Sequence, residues 1–188
     1  MRFATSALAF LASAAAVTAS SITFWTLDNS TRTIHFTPSE GYVSVPSVVV
    51  NSQKKTKVTF PTEKWKGNFY AIQKGKDNQP GMLGEVNFHD WNDMTYFDVS
   101  AIVSPKDHHN VKQMWPMESK WPMSGCEVYP CDNAYWLPDD IQTKVTHETD
   151  LMTTLGSGST GLNFAQQQQR CCVVIGMWIT NSKSIGSW

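Results

Sequence analysis

From Ile22 to Leu155 the chain is a succession of short segments rich in β-branched and aromatic residues, each ended by a cluster of Asp, Asn, Ser, Gly or Pro. No segment is long enough, or has the right apolar period, to sustain a helix packed on one face. Ile22-Thr23-Phe24-Trp25-Thr26-Leu27 and Arg32-Thr33-Ile34-His35-Phe36 flank Asp28-Asn29-Ser30-Thr31, which predicts a hairpin. Val43 to Val50, Lys57 to Phe60 and Trp65 to Ile72 predict further strands. Leu83-Gly84-Glu85-Val86-Asn87-Phe88 and Met94-Thr95-Tyr96-Phe97-Asp98-Val99-Ser100 follow, then Thr143 to Thr146 and Asp150 to Leu155. Many short strands at regular spacing predict an all-β sandwich. Met114 to Gly125, rich in Pro, Met and Trp and without a period, reads as an ordered loop excursion.

The beginning of the chain reads as an address. Met1-Arg2 is a basic start, Phe3 to Val17 is Ala-rich and apolar, and Val17-Thr18-Ala19 suits a signal peptidase, so residues 1–19 are expected to be a secretory signal. The apolar run is shorter than the ~20 residues that span a bilayer, and no second one follows. The mature protein is therefore expected to be secreted, extracellular or wall-associated, with no membrane span. Residues 20–155 form the expected sandwich domain. From Gly156 the composition turns to Gly, Ser and Gln, and residues 156–188 read as a flexible or loosely docked tail.

An oxidising compartment gives the four cysteines a structural reading. Of the pairings they permit, Cys126 with Cys131 closes a short loop that Pro130 helps to turn. Adjacent Cys171 and Cys172 have no clear partner. Neither thiols nor histidines fall into a zinc spacing, and His108-His109 sits in a polar stretch that reads as a solvated turn, so no metal or other cofactor is expected. The net charge of −1 supplies no basic field for nucleic acid.

Glu85 and Asp98 are the residues to explain, because strands seldom spend positions on acids without presenting them to solvent or a cleft. Ile22 to Phe36, the Glu85 and Asp98 segments and Cys131 to Asp140 resemble segments of thaumatin-like proteins, and Gly81 to Phe88, Val111 to Pro116 and Met123 to Glu127 resemble their small fungal branch, the antigenic or yeast-phase-specific secreted proteins. The resemblance spans about Ile22 to Leu155 and implies a thaumatin β-sandwich with reduced loops. It also implies a cleft lined by Glu85 and Asp98. The family's next cleft acid corresponds to Val103, its arginine falls near Asn68, and Asp132-Asn133 stand where a further acid would be. On this basis Glu85, Asp98, Asp132, Tyr96 and Tyr135 are the expected ligand-binding residues. The partner expected is a cell-wall polysaccharide such as β-glucan, bound without turnover, or a host or surface protein. Two alternatives stand beside it: a weak endo-β-1,3-glucanase using Glu85 and Asp98 as acid and base, and a protein-binding antigen or effector. A purely structural role is also open, with Asp98 bonding backbone amides to brace a turn while Glu85 is solvated.

Overall fold

The computed structural model describes residues 19–164. The signal-peptide reading of residues 1–18, most of the tail and the pairing of Cys171 and Cys172 therefore lie outside the described residues. The chain folds into two sheets packed face to face, with one short 3-10 turn at Trp91–Asp93. The strands are β1 (Ser21–Thr26), β2 (Arg32–Pro38), β3 (Val48–Val50), β4 (Thr56–Thr59), β5 (Trp65–Gln73), β6 (Leu83–Phe88), β7 (Thr95–Ser100), β8 (Val111–Pro116), β9 (Ser124–Gly125), β10 (Lys144–Thr146) and β11 (Asp150–Leu155). The five-stranded sheet has the order β4-β1-β11-β8-β9, and the six-stranded sheet the order β10-β7-β6-β5-β2-β3. All neighbours are antiparallel except β1 and β11, which run parallel in the middle of the first sheet. Among the described residues no helix is long and apolar enough to cross a membrane.

Alternation decides which side chains enter the sandwich. On β5, Trp65, Phe69 and Ala71 point inward; on β6, Val86 and Phe88; on β7, Phe97 and Val99. They meet Ile22 and Phe24 of β1 and Leu151 and Leu155 of β11. Much of the aromatic content goes into this core: Phe24 stands edge-on to Phe69 at 5.2 Å, and Phe60 packs on Trp65 at 4.6 Å and on Phe88 at 5.2 Å. Trp65 and these Phe residues are sealed from solvent, and an aromatic of that size buries ~150–250 Å².

Three expectations are corrected. β1 and β2 do not form a hairpin; they belong to opposite sheets, and residues 27–31 carry the chain across the sandwich. Their bridge is Arg32, wholly buried, which grips Asp28 with both terminal nitrogens at 2.7 Å and also donates to the His109 carbonyl at 2.7 Å and to Asn110 Oδ1 at 3.2 Å. A polar turn that looks like a hairpin tip is thus an ion-paired corner. The strand expected from Val43 to Val50 is confined to Val48–Val50, after Pro46, which has no amide to give a ladder. The expected loop excursion begins only after Pro116. Val111–Pro116 is β8, paired with β11 on one side and β9 on the other, and all six residues are buried. With both faces covered it lacks the alternation that betrays a strand.

Cys126 and Cys131 are joined by a disulfide, as expected. The segment from Gly156 to Phe164 runs back over the first sheet. The Gly156 amide donates to the Asn110 carbonyl, Ser159 and Thr160 hydroxyls donate to Glu127 at 2.7 Å, and Phe164 meets Trp115 at 5.0 Å.

Candidate functional site

The outer face of the six-stranded sheet carries a groove of about 300 Å³, and Glu85 and Asp98 lie in it. Register brings them together: Glu85 is directly opposite Asp98 across β6 and β7, and Asn68 of β5 is directly opposite Glu85. Because the side-chain period of a strand is two, all three leave the core on the same side. Thr143, just before β10, extends the row by donating its hydroxyl to Asp98 Oδ2 at 3.3 Å, and it shares a hydrogen bond of 2.8 Å with the Tyr135 hydroxyl. The next row is Lys66, Asn87 and Tyr96, also set by the β5-β6-β7 register.

The inner face holds this register in place. Gly84, between Leu83 and Glu85, lies under the Phe69 ring so closely that a Cβ there would stand 2.2 Å from Phe69 Cζ. Only a residue without a side chain lets that ring close against β6, and the packing fixes the strand that carries Glu85.

Asp98 is 94% shielded, its residual exposure being 6%. Its Oδ1 is buried and accepts no hydrogen bond from the protein. Burial pushes the carboxyl from 3.8 up to about 7; the Glu85 carboxyl directly opposite pushes the same way, against weaker opposing pulls from Thr143 and Lys144. Near neutral pH Asp98 therefore passes between its protonated and ionised forms. Burial holds the Lys144 ammonium below its ordinary value, and it donates to Gln142 Oε1 at 3.2 Å.

Of the residues expected from sequence, Glu85, Asp98 and Tyr96 line the groove. Tyr135 borders it through Thr143 and through its own bridge to Ser100. Asp132 is exposed and does not line it, and neither does Val103. The structural role imagined for Asp98 is also revised: it sits in mid-strand, and its partner is a side-chain hydroxyl rather than the amides of a turn. Lys66, Asn87 and Thr143 were not anticipated. Lys66 and Asn87 could have been found by extending the strand register outward from Glu85 and Asp98, but nothing near Thr143 in sequence signals its approach. His108 Nε2 bonds the Pro105 carbonyl at 3.1 Å, and among the described residues no group of three His, Cys, Asp or Glu side chains could hold a metal.

Over 144 residues, 77% of this chain and 99% of its relative, the sequence is 64% identical to the antigenic protein SchS21 of Stachybotrys chartarum. The chain belongs to the SchS21 antigenic protein family. No protein-family model matches it. Among solved structures it is similar to the protein elicitor MoHrip2 of Magnaporthe oryzae, with a TM-score of 0.54, covering 73% of this chain and 99% of that one. At 16% identity that likeness speaks for the fold alone. The SchS21-family chain is thus an all-β sandwich whose outer sheet face carries an acid pair in a groove.

Proposed function

We propose that this SchS21-family chain is a secreted antigen or effector of the kind its relatives' names describe, working by recognising a surface partner rather than by turnover. The observation that carries the reading is the 64% identity over nearly the whole length of an antigenic protein; the elicitor with the same fold is consistent with it. Its likeness to thaumatin-like proteins rests on the sequence motifs around Glu85 and Asp98 alone. The recognition surface in this reading is the groove, where a shielded acid and a carboxylate sit beside the neutral polar groups of Asn68, Asn87 and Thr143.

The test is infiltration of purified protein into leaf tissue with the oxidative burst as readout, beside a Glu85→Gln, Asp98→Asn variant of unchanged circular dichroism. A burst that the variant fails to raise supports the reading, and no burst from the wild type sinks the effector role.

A second reading is favoured by the amides, hydroxyl and carboxyls that converge beside the Tyr96 ring, the kind of surface that accepts sugar hydroxyls and stacks on a sugar face. Here the groove binds wall polysaccharide. Failure to sediment with insoluble β-1,3-glucan, chitin and cellulose removes it.

A further inference from the structure

On the same sheet face, beyond the Tyr70 ring, lies a second and larger hollow of about 450 Å³ with the opposite chemistry. It is formed where β2 begins and β5 ends, and where the turn after β5 folds over. That turn is anchored by the Lys74 amide, which donates to the Thr31 carbonyl at 2.9 Å, and by the Lys76 amide, which donates to the Gln73 carbonyl at 3.0 Å. No carboxylate lines the hollow, and Asp77, which follows Lys76, is not part of its wall. The three ion pairs among the described residues are Arg32 with Asp28, Lys57 with Asp150 and His89 with Asp93, so the Lys74 and Lys76 ammoniums are unpaired.

The neutral groups around them are turned to donate. The Tyr70 hydroxyl gives its hydrogen to Asn78 Oδ1 at 3.2 Å, which occupies the acceptor end of that amide and leaves its NH2 end available. His35 is stacked on Tyr70 at 5.2 Å and 19° and bonded through Nδ1 to the Ser47 hydroxyl at 3.2 Å. The hydroxyls of Thr31 and Thr33 complete the wall, over an apolar floor of Val49 and Ile72. Two unpaired ammoniums, an oriented amide and hydroxyls beside the His35 ring, with no carboxylate in the wall, make up the donor set that a carboxylate, sulfate or phosphate satisfies and a neutral ligand does not.

We propose that the hollow between Thr31, His35, Lys74, Lys76 and Asn78 is an oxyanion-binding site, distinct from the Glu85–Asp98 groove and recognising an anionic group carried on a small apolar frame. Asn68 in the groove and Ile72 in the hollow lie four residues apart on β5, about 13 Å at the rise of a strand. The anion site therefore stands next to the acid pair without overlapping it.

The test is an amide-resolved NMR titration of the full chain with succinate, inorganic phosphate and inorganic sulfate. Succinamide and ionic-strength-matched sodium chloride serve as controls. Shifts saturating at residues 31–35 and 72–78 are expected with the oxyanions and absent with both controls. The Lys74→Ala, Lys76→Ala variant, altered only at exposed positions, is expected to weaken binding about tenfold, the scale of ~1.4 kcal/mol lost from two charged contacts. Asn78→Asp, which keeps the Tyr70 bond but replaces donors with a charge, is expected to abolish it. A Lys54→Ala, Lys55→Ala variant at another lysine-bearing turn should bind as the wild type does. Shifts spread over every lysine-bearing turn, an equal response to sodium chloride, or indifference to the Lys74 and Lys76 changes would each overturn the proposal. Preference for succinate over phosphate and sulfate would identify a carboxylate ligand, and the reverse a sulfated or phosphorylated one.

Discussion

Asp28 and Asp98 are both drawn out of full contact with water, yet their carboxyls move in opposite directions. Burial raises both. At Asp28 the hydrogen bonds and charge of Arg32, with the amides of Ser30 and Ser157, outweigh burial and hold the group at about 2. At Asp98 the nearest charged neighbour is another acid, so Glu85 adds to burial and the group reaches about 7. The sign of the partner, more than the degree of burial, separates an acid that braces a fold from one that faces a groove. The first is enclosed by protein donors; the second opens on a groove and retains an oxygen that no protein group satisfies.

The largest test of this contrast is Arg32→Ala. It strands Asp28, the His109 carbonyl and Asn110 at a corner joining the two sheets, and a cost of about 3–5 kcal/mol is expected in urea unfolding, the scale for breaking a buried pair. A change below ~1 kcal/mol would mean that the corner is not a clasp. Next comes Gly84→Ala, whose added methyl must displace Phe69. A loss of about 1–3 kcal/mol is expected, with shifted resonances at Glu85 and Asp98, and unchanged stability would break the link between core packing and groove.

Asp98→Asn should act in the other direction. A carboxyl raised in the folded state contributes stability that is full below its unfolded value of 3.8 and is lost as pH rises through about 7. Wild-type stability is therefore expected to decline between pH 4 and 7 from this group, and the Asn variant to be steadier there and more stable at pH 8 by on the order of 2 kcal/mol. Thermal melts across that range would show it, and parallel curves for the two proteins would refute the raised Asp98 carboxyl. Asp28 has the opposite sign: its contribution is present above 3.8 and fades as pH falls toward 2, so Asp28→Asn should flatten the acid limb alone. The smallest effect is expected from Glu85→Gln on the Asp98 titration followed by carbon NMR. The value should fall from about 7 but stay above 3.8, because burial is the larger cause. A fall below 3.8 would make Glu85 the dominant influence.

Much of the six-stranded sheet was legible before folding because its middle strands have one face in the core and one in solvent, and alternation records that directly. Leu83–Phe88 and Thr95–Ser100 are cases in point. β8 was not legible, since a strand covered on both sides has no polar phase to read. The corner at Asp28 misled for a related reason. A polar turn between two apolar strands has the same local chemistry whether the second strand folds back beside the first or crosses to the facing sheet. In the site, Glu85 and Asp98 could be singled out as strand acids, but Asp132 was carried along by its motif into a loop that does not reach the groove.

The sequence by itself determined the all-β class, the Cys126–Cys131 pairing and the two acids on outward strand phases, because alternation and short loop closure are local properties. Only the tertiary structure decided that Glu85 faces Asp98 and Asn68, that Thr143 arrives from 45 residues away to bond Asp98, and that Lys74, Lys76, His35 and Asn78 gather around one hollow. Those outcomes depend on strand register and on which edges meet, and register is set by the packing of rings such as Phe69 against Gly84 across the whole sheet rather than by any residue's neighbours in the chain.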